Sequence, residues 1–200
     1  MYEGMVRLKW QVDAQGYELV ERTWDHPADK GTYIVPRSGK LKTYDIGVRE
    51  EDVFIELVNT PATPEGVLSF VNKRGLLTKV PEPEISWFYR NRNELRRAVD
   101  LGLDNRLSKL QTILGEKGIA RLDARLERRR QHAPQLIFRC YTLRQFCWLE
   151  LVQIVSGGAD IVRCAGPGCG NFLPLHKKGR PPKHCSNGCK QASYRERRAS

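Results

Sequence analysis

No stretch of the chain approaches the roughly 20 consecutive apolar residues that a membrane helix requires, and mean hydropathy is −0.53. No membrane partner is expected. The opening MYEGMVRLKW has no apolar core followed by small residues, so no secretory signal is expected and the cytoplasm is the expected compartment. Internal repeats and low-complexity segments are missing. So are the short signatures of common enzymes: H-E-x-x-H, G-x-S-x-G and a phosphate loop do not occur. Histidine is scarce, four in 200 residues. None falls in 190–200, where a nuclease built on a metal-bearing helix would need it. These absences point away from catalysis and toward binding.

Cysteine and positive charge, by contrast, are plentiful. Six cysteines in a cytoplasmic chain read as metal ligands or buried thiols sooner than as a disulfide framework. Net charge is +11, and it is unevenly spread. Residues 163–200 hold nine of the 34 Lys/Arg and one of the 23 Asp/Glu, a net of +8. The remaining 162 residues hold 25 basic and 22 acidic groups, a net of +3. An excess confined to one end is the footprint of a polyanion partner, with a solubilising tail as the bland alternative.

Alternation dominates the first 50 residues. Val6 to Val12 places Val6, Leu8, Trp10 and Val12 on one face, the mark of a half-buried strand. Asp13 to Gly16 reads as a turn and Tyr17 to Trp24 as the returning strand. Thr32–Val35 and Leu41–Ile46 read as a second hairpin around Pro36–Gly39. Trp10 and Trp24 are expected in the core.

From about residue 50 the period becomes helical. Thr63-Pro64 is a helix start with a capping side chain and a proline in the first turn. Val67, Leu68 and Val71 form its stripe, and Gly75 is a left-handed cap before Leu76. Ile85, Phe88, Leu95 and Val99 mark a second helix, and Leu103–Leu114 a third, closed by Gly115 and Gly118. Residues 121–130, RLDARLERRR, read as a charged, solvated helix. A long helix is expected from Pro134 to Gly157-Gly158 on Leu136, Cys140, Leu143, Cys147, Leu151 and Ile154. That spacing puts Cys140 and Cys147 on a core-facing stripe, as small buried hydrophobes.

Four cysteines remain, Cys164, Cys169, Cys185 and Cys189, spaced C-x4-C-x15-C-x3-C. Two close pairs joined by a mid-length loop are what a tetrahedral Zn²⁺ needs, each pair spanning one side of the ion. Ala165-Gly166-Pro167-Gly168 supplies a tight turn whose N–H groups can face the sulfurs. Gly170 offers a permissive backbone, and Phe172 and Leu173 supply apolar residues to bury. Ser186 caps a helix beginning near Asn187, with Cys185 just before it and Cys189 in its first turn. His176 and His184 are the alternative ligands, disfavoured while four thiolates are at hand. One structural zinc in a treble-clef-like module is the expectation, with every coordination position filled. The helix that follows carries Lys190, Tyr194, Arg195, Arg197 and Arg198, and the loop between the pairs carries Lys177, Lys178, Arg180 and Lys183. Cations around one aromatic suit a phosphate backbone.

The segment RCAGPGCGNFLPLHKKGRPPKHCSNGCKQASYRERR resembles the C-terminal zinc finger of the bacterial CGNR family. The shared pattern is Cys164, Cys169 and Gly170, a downstream aromatic, a basic loop, Cys185-Ser186 and Cys189, and a Tyr-Arg-x-Arg-like helix. VLSFVNKRGLL, 67–77, is similar to a segment upstream of such fingers. The chain departs at Cys189-Lys190-Gln191-Ala192, where the family's name motif is not reproduced, and at His184, where an aromatic is more usual. The resemblance implies a mainly helical region followed by a four-cysteine finger in a transcription regulator.

The expected architecture is therefore α+β: a small antiparallel sheet over 1–50, a helical region over 51–160, and a zinc module over 161–200. The expected function is DNA binding in transcription regulation, with DNA favoured over RNA. Residues 1 to about 160 would sense a small-molecule effector of unknown identity or form a homodimer through the helical region. An adaptor that docks RNA or a protein through the zinc module is the alternative.

Overall fold

A computed structural model describes residues 6–23, 30–47, 53–104, 106–116, 123–127, 135–156, 161–174 and 182–199. Four strands form where alternation places them: β1 (Val6–Asp13), β2 (Tyr17–Thr23), β3 (Lys30–Pro36) and β4 (Leu41–Gly47). Their pairing differs from the expected pair of hairpins. β1 runs antiparallel to β4, from Arg7 opposite Gly47 to Asp13 opposite Leu41. β2 runs antiparallel to β3, from Tyr17 opposite Pro36 to Thr23 opposite Lys30. The four strands are thus one long two-stranded ribbon with a bend in the middle. Alternation identifies a strand but not its partner, and Asp13–Gly16 is a corner rather than a hairpin turn.

The Asp13 side chain holds that corner. Its carboxylate is buried and accepts from Gln15 N–H (2.9 Å), Ser38 N–H (3.2 Å) and Ser38 O–H (2.9 Å), which ties the two strands together at the bend. Burial works to raise its pKa. The hydrogen bonds from Gln15, Ser38 and Gly39 outweigh that and leave it below the ordinary carboxylate value. Ala14 N–H to Lys40 O (2.7 Å) and Arg37 N–H to Gly16 O (3.0 Å) carry the ladder across. Gly16 (φ 82°) and Gly39 (φ 66°) supply the left-handed backbone that the two corners need.

Helices fill the middle of the chain. α1 (Val53–Asn59) buries five of its seven residues, so no one-sided stripe betrays it in the sequence. α2 (Pro64–Arg74) starts as expected, with Thr63 Oγ1 accepting from Gly66 N–H at 3.2 Å. It ends at Gly75 (φ 84°), where an added Cβ would stand 2.6 Å from Gln11 O on β1. α3 (Ile85–Leu103) buries Ile85, Phe88, Leu95 and Val99. Leu103 closes this helix instead of opening the next, because α4 (Leu107–Glu116) begins after the turn at Asp104. Gly115 lies within α4, and Gly118 lies outside the described residues.

Two further expectations are overturned. Within 121–130 the described residues form a strand, β5 (Asp123–Glu127), not a helix. The stretch 134–158 is not one helix either: β6 (Gln135–Arg139) precedes α5 (Leu143–Ser156). β5 and β6 pair antiparallel, Asp123 opposite Arg139 through Glu127 opposite Gln135, so strand hydrogen bonds win over helical spacing. The boundary of α5 is set by Thr142. Its Oγ1 accepts from Gln145 N–H (3.1 Å) while Gln145 Oε1 accepts from Tyr141 N–H (2.9 Å), a reciprocal cap.

β6 joins the ribbon parallel to β1, Val6 opposite Phe138, to give the order β4-β1-β6-β5. One core links strands and helices, with Leu8, Trp10, Phe54, Phe88, Phe146 and Trp148 among its buried members. Cys140 and Cys147 belong to it as expected, although Cys140 lies between β6 and α5 and not on a shared helical stripe. Trp24 lies outside the described residues. The protein is α+β, and no described helix is long and apolar enough to cross a membrane.

Candidate metal centre

Two short strands begin the centre: β7 (Ile161–Arg163) and β8 (Phe172–Pro174), antiparallel, with Arg163 opposite Phe172. Cys164 N–H to Asn171 O (2.8 Å) extends the pairing by one step. The intervening turn closes with Cys169 N–H to Gly166 O (3.0 Å), and Gly168 takes φ 67°. As the sequence indicates, a backbone N–H faces sulfur there: Gly166 N to Cys164 Sγ, 3.4 Å. The left-handed glycine is Gly168 rather than Gly170. At Gly170 an added Cβ would lie 2.9 Å from Arg96 Nη2, the far end of a flexible side chain that can give way.

The second pair stands at the start of α6 (Asn187–Ala199). Ser186 caps it, its hydroxyl accepting from Cys189 N–H (3.2 Å) and its carbonyl from Lys190 N–H (3.1 Å). Cys185 precedes the helix and Cys189 lies in its first turn. Ala165 N–H to Lys183 O (2.8 Å) and Cys185 N–H to Cys164 Sγ (3.3 Å) stitch the halves together. Gly166 packs so close to Cys189 that an added Cβ would be 2.7 Å from Cys189 Cβ.

All four sulfurs lie within 4.8 Å of one another, and none is in a disulfide. Cys169 Sγ to Cys185 Sγ is 3.6 Å and Cys185 Sγ to Cys189 Sγ is 3.4 Å. A tetrahedral ion with bonds of about 2.3 Å needs sulfur–sulfur edges of about 3.8 Å, so these thiols fit one metal ion. Proton affinity is uneven across the cluster. Burial raises the Cys185 thiol, but the Asn171 amide (Nδ2 to Sγ, 3.5 Å) and the neighbouring thiols bring it down to about 7. Cys169 receives a lowering backbone hydrogen bond from Asn171. Burial and the adjoining thiols outweigh it and push Cys169 up to about 12. Without a cation the shared hydrogen bonds thus favour the thiolate at Cys185 and the thiol at Cys169.

His184 does not enter this set. His184 Nε2 bonds Ser193 Oγ (3.1 Å), and Ser193 Oγ donates to Ala165 O (2.9 Å), fastening α6 to the turn. His176 lies outside the described residues, as do Lys177, Lys178 and Arg180. The other cations expected at a phosphate surface are exposed: Lys183, and Lys190, Arg195, Arg197 and Arg198 on α6. Tyr194 is 53% exposed, with the Arg198 guanidinium 5.3 Å from its ring centre.

Composition and spacing give no hint of the fastening between this module and the helices. Asn59, the last residue of α1, uses its amide as a short strand. Its Nδ2 donates to Phe172 O and its Oδ1 accepts from Phe172 N–H, both at 2.8 Å. Phe172 itself is buried in the common core. Arg96 of α3 stacks 5.0 Å over the Phe172 ring and donates to Val58 O and Gly170 O. Arg163 reaches Asp100 (2.9 Å) and Asp104 (3.1 Å). The one signal for Asn171 was its place two residues after Cys169, within reach of the sulfurs.

No protein-family model matches the chain, and no curated protein matches it.

Proposed function

We propose that the four thiolates hold one structural Zn²⁺, and that the module built on it binds nucleic acid, duplex DNA ahead of RNA, in a cytoplasmic transcription regulator. The observation that carries this reading is α6, a helix fixed at one end by two of the cysteines and exposing Lys190, Tyr194, Arg195, Arg197 and Arg198. Four sulfur donors select a soft ion of tetrahedral preference, and zinc is the common one. Zn²⁺ with four thiolates carries −2, which the positive N-terminal end of α6 offsets. All four positions are then filled, no water is activated, and the role is binding rather than catalysis.

The hairpin pair followed by a helix-start pair is treble-clef-like, and it agrees with the CGNR-type finger that the segment 163–198 resembles. The preceding residues would then sense a ligand or mediate self-association. The test is DNA binding across a salt series. Four to six phosphate contacts give a slope of log K against log salt near −4 to −5, at about −0.9 per contact. Arg197→Glu with Arg198→Glu lowers that slope by about 2 while zinc stays bound. Tight binding indifferent to salt would sink the reading. Tyr194 and Arg198 favour a second reading, because a stacked ring and cation suit unpaired bases or a protein groove. Tighter binding of single-stranded RNA than of duplex DNA in direct competition would select it.

A further inference from the structure

One arc of α6 sets the helix on its module. Cys189, Ala192 and Ser193 on that arc are half-buried, and Ser193 bonds His184 and Ala165. The one acid of the helix, Glu196, falls on the same arc at 3.6 residues per turn. The opposite arc is exposed and is ordered by residue type. Asn187, Gln191 and Tyr194 lie within roughly 60° of one another along its crest. Lys190 and Arg197 flank the crest on one side and Arg195 on the other. These six residues line one shallow concavity of about 450 Å³, so they share a face in the folded protein.

A single row of cations would suit any polyanion. Two rows with uncharged amides between them suit a groove whose walls carry phosphates and whose floor carries base edges. The major groove of B-DNA is about 12 Å wide and admits one helix. Amide side chains are the groups that bond adenine there, donating to N7 and accepting from the N6 amine. Asn187 and Gln191 stand one helical turn apart, about 6 Å along the axis. Two base-pair steps advance about 7 Å, so the two amides are spaced to meet base pairs two steps apart.

We propose that α6 enters the major groove of duplex DNA and that Asn187 and Gln191 read adenine there, while Lys190 and Arg197 contact the phosphates of one wall and Arg195 those of the other. This inference rests on the nucleic-acid reading and adds to it a base preference set by two uncharged residues.

The test is selection from a pool of random-sequence duplexes by the full, metal-loaded chain. The expected result is an enriched site with two A·T pairs two steps apart. Asn187→Ala and Gln191→Ala each weaken binding to that site about tenfold, the discrimination typical of one bidentate amide–adenine pair. Neither changes the affinity for random-sequence duplex, the salt slope or the metal content. Replacing one selected adenine by 7-deazaadenine, which lacks the N7 acceptor, reproduces part of that loss in the parent chain and adds nothing in the matching alanine variant. Salt-dependent binding with no enriched site, or with a site lacking A·T pairs at that spacing, overturns the base readout and leaves the phosphate contacts standing. Equal losses on selected and random-sequence duplex, or an undiminished 7-deazaadenine effect in both alanine variants, also overturn it. No binding of duplex DNA ends this inference and the nucleic-acid reading together.

Discussion

In the body of the protein Trp10, Phe54, Phe88, Phe146 and Trp148 keep 6% or less of their surface exposed, whereas no described side chain in 182–199 is buried. The body coheres by removing apolar area from water, at roughly 25 cal/mol per Å². α6 has no such means. It is attached through Cys185, Cys189 and the Ser193 bonds, and an isolated helix of its length is marginal in water. The strands β7 and β8 stand between these regimes, since Phe172 is in the core while Cys164 and Cys169 belong to the thiol cluster. One chain therefore joins a region that folds by burial to a region with little to bury, which on our proposal folds by ligation.

The largest predicted effect breaks the two apart. Cys185→Ser should release the metal, which elemental analysis reads. It should also unravel α6, because structural zinc supplies roughly 10–16 kcal/mol of apparent binding free energy. The thermal transition of the body should persist. Cys147→Ser should do the reverse, keeping the metal and lowering the body's stability by about 1–3 kcal/mol, the cost of a hydroxyl in an apolar site. Metal lost from the Cys147 variant and kept in the Cys185 variant would reverse the assignment.

A smaller effect tests the joint. Asn59→Ala leaves the backbone groups of Phe172 without partners, which should cost about 1–3 kcal/mol. Metal should be retained, while hydrogen exchange in 161–174 should quicken relative to the body. Unchanged exchange there would mean that Phe172 and Arg96 suffice to hold the module. The smallest effect is that of Arg163→Ala. Its ion pairs to Asp100 and Asp104 are about half exposed, so about 0.2–1 kcal/mol is expected, shrinking with added salt.

The cysteine cluster was legible because its signal is local. Cys164, Cys169, Cys185 and Cys189 carry their clustering in their spacing, and Ser186 sits where a cap must be. The strands of the ribbon were legible from alternation, but their partners were not, because the choice between a hairpin and a corner depends on Ser38 reaching Asp13. The stretch from 134 to 158 misled for a different reason. Leu136, Cys140 and Leu143 fall at helical spacing across a strand end, and the decisive signal was the Thr142-x-x-Gln145 cap. In 121–127, Leu122, Ala124 and Leu126 alternate with charged residues, a strand pattern that the density of charge obscured. The grip of Asn59 on Phe172 had no local sign, because it joins residues 113 positions apart.

The parallel pairing of β1 with β6 sets an order of events. Val6 meets Phe138, so the first strand finds its inner neighbour only after most of the chain has been synthesised. Until then the ribbon has an open edge, the kind of edge on which other chains can add. Closing so long a loop is entropically slow, and folding of the sheet is expected to wait for it. Residues 161–199 follow almost at once, so the four clustered cysteines leave the ribosome only as the body becomes able to receive Phe172. Synthesis order thus delivers the anchor before the helix that depends on it, and a translational pause before residue 135 would prolong the interval in which the Val6–Arg7 edge is open.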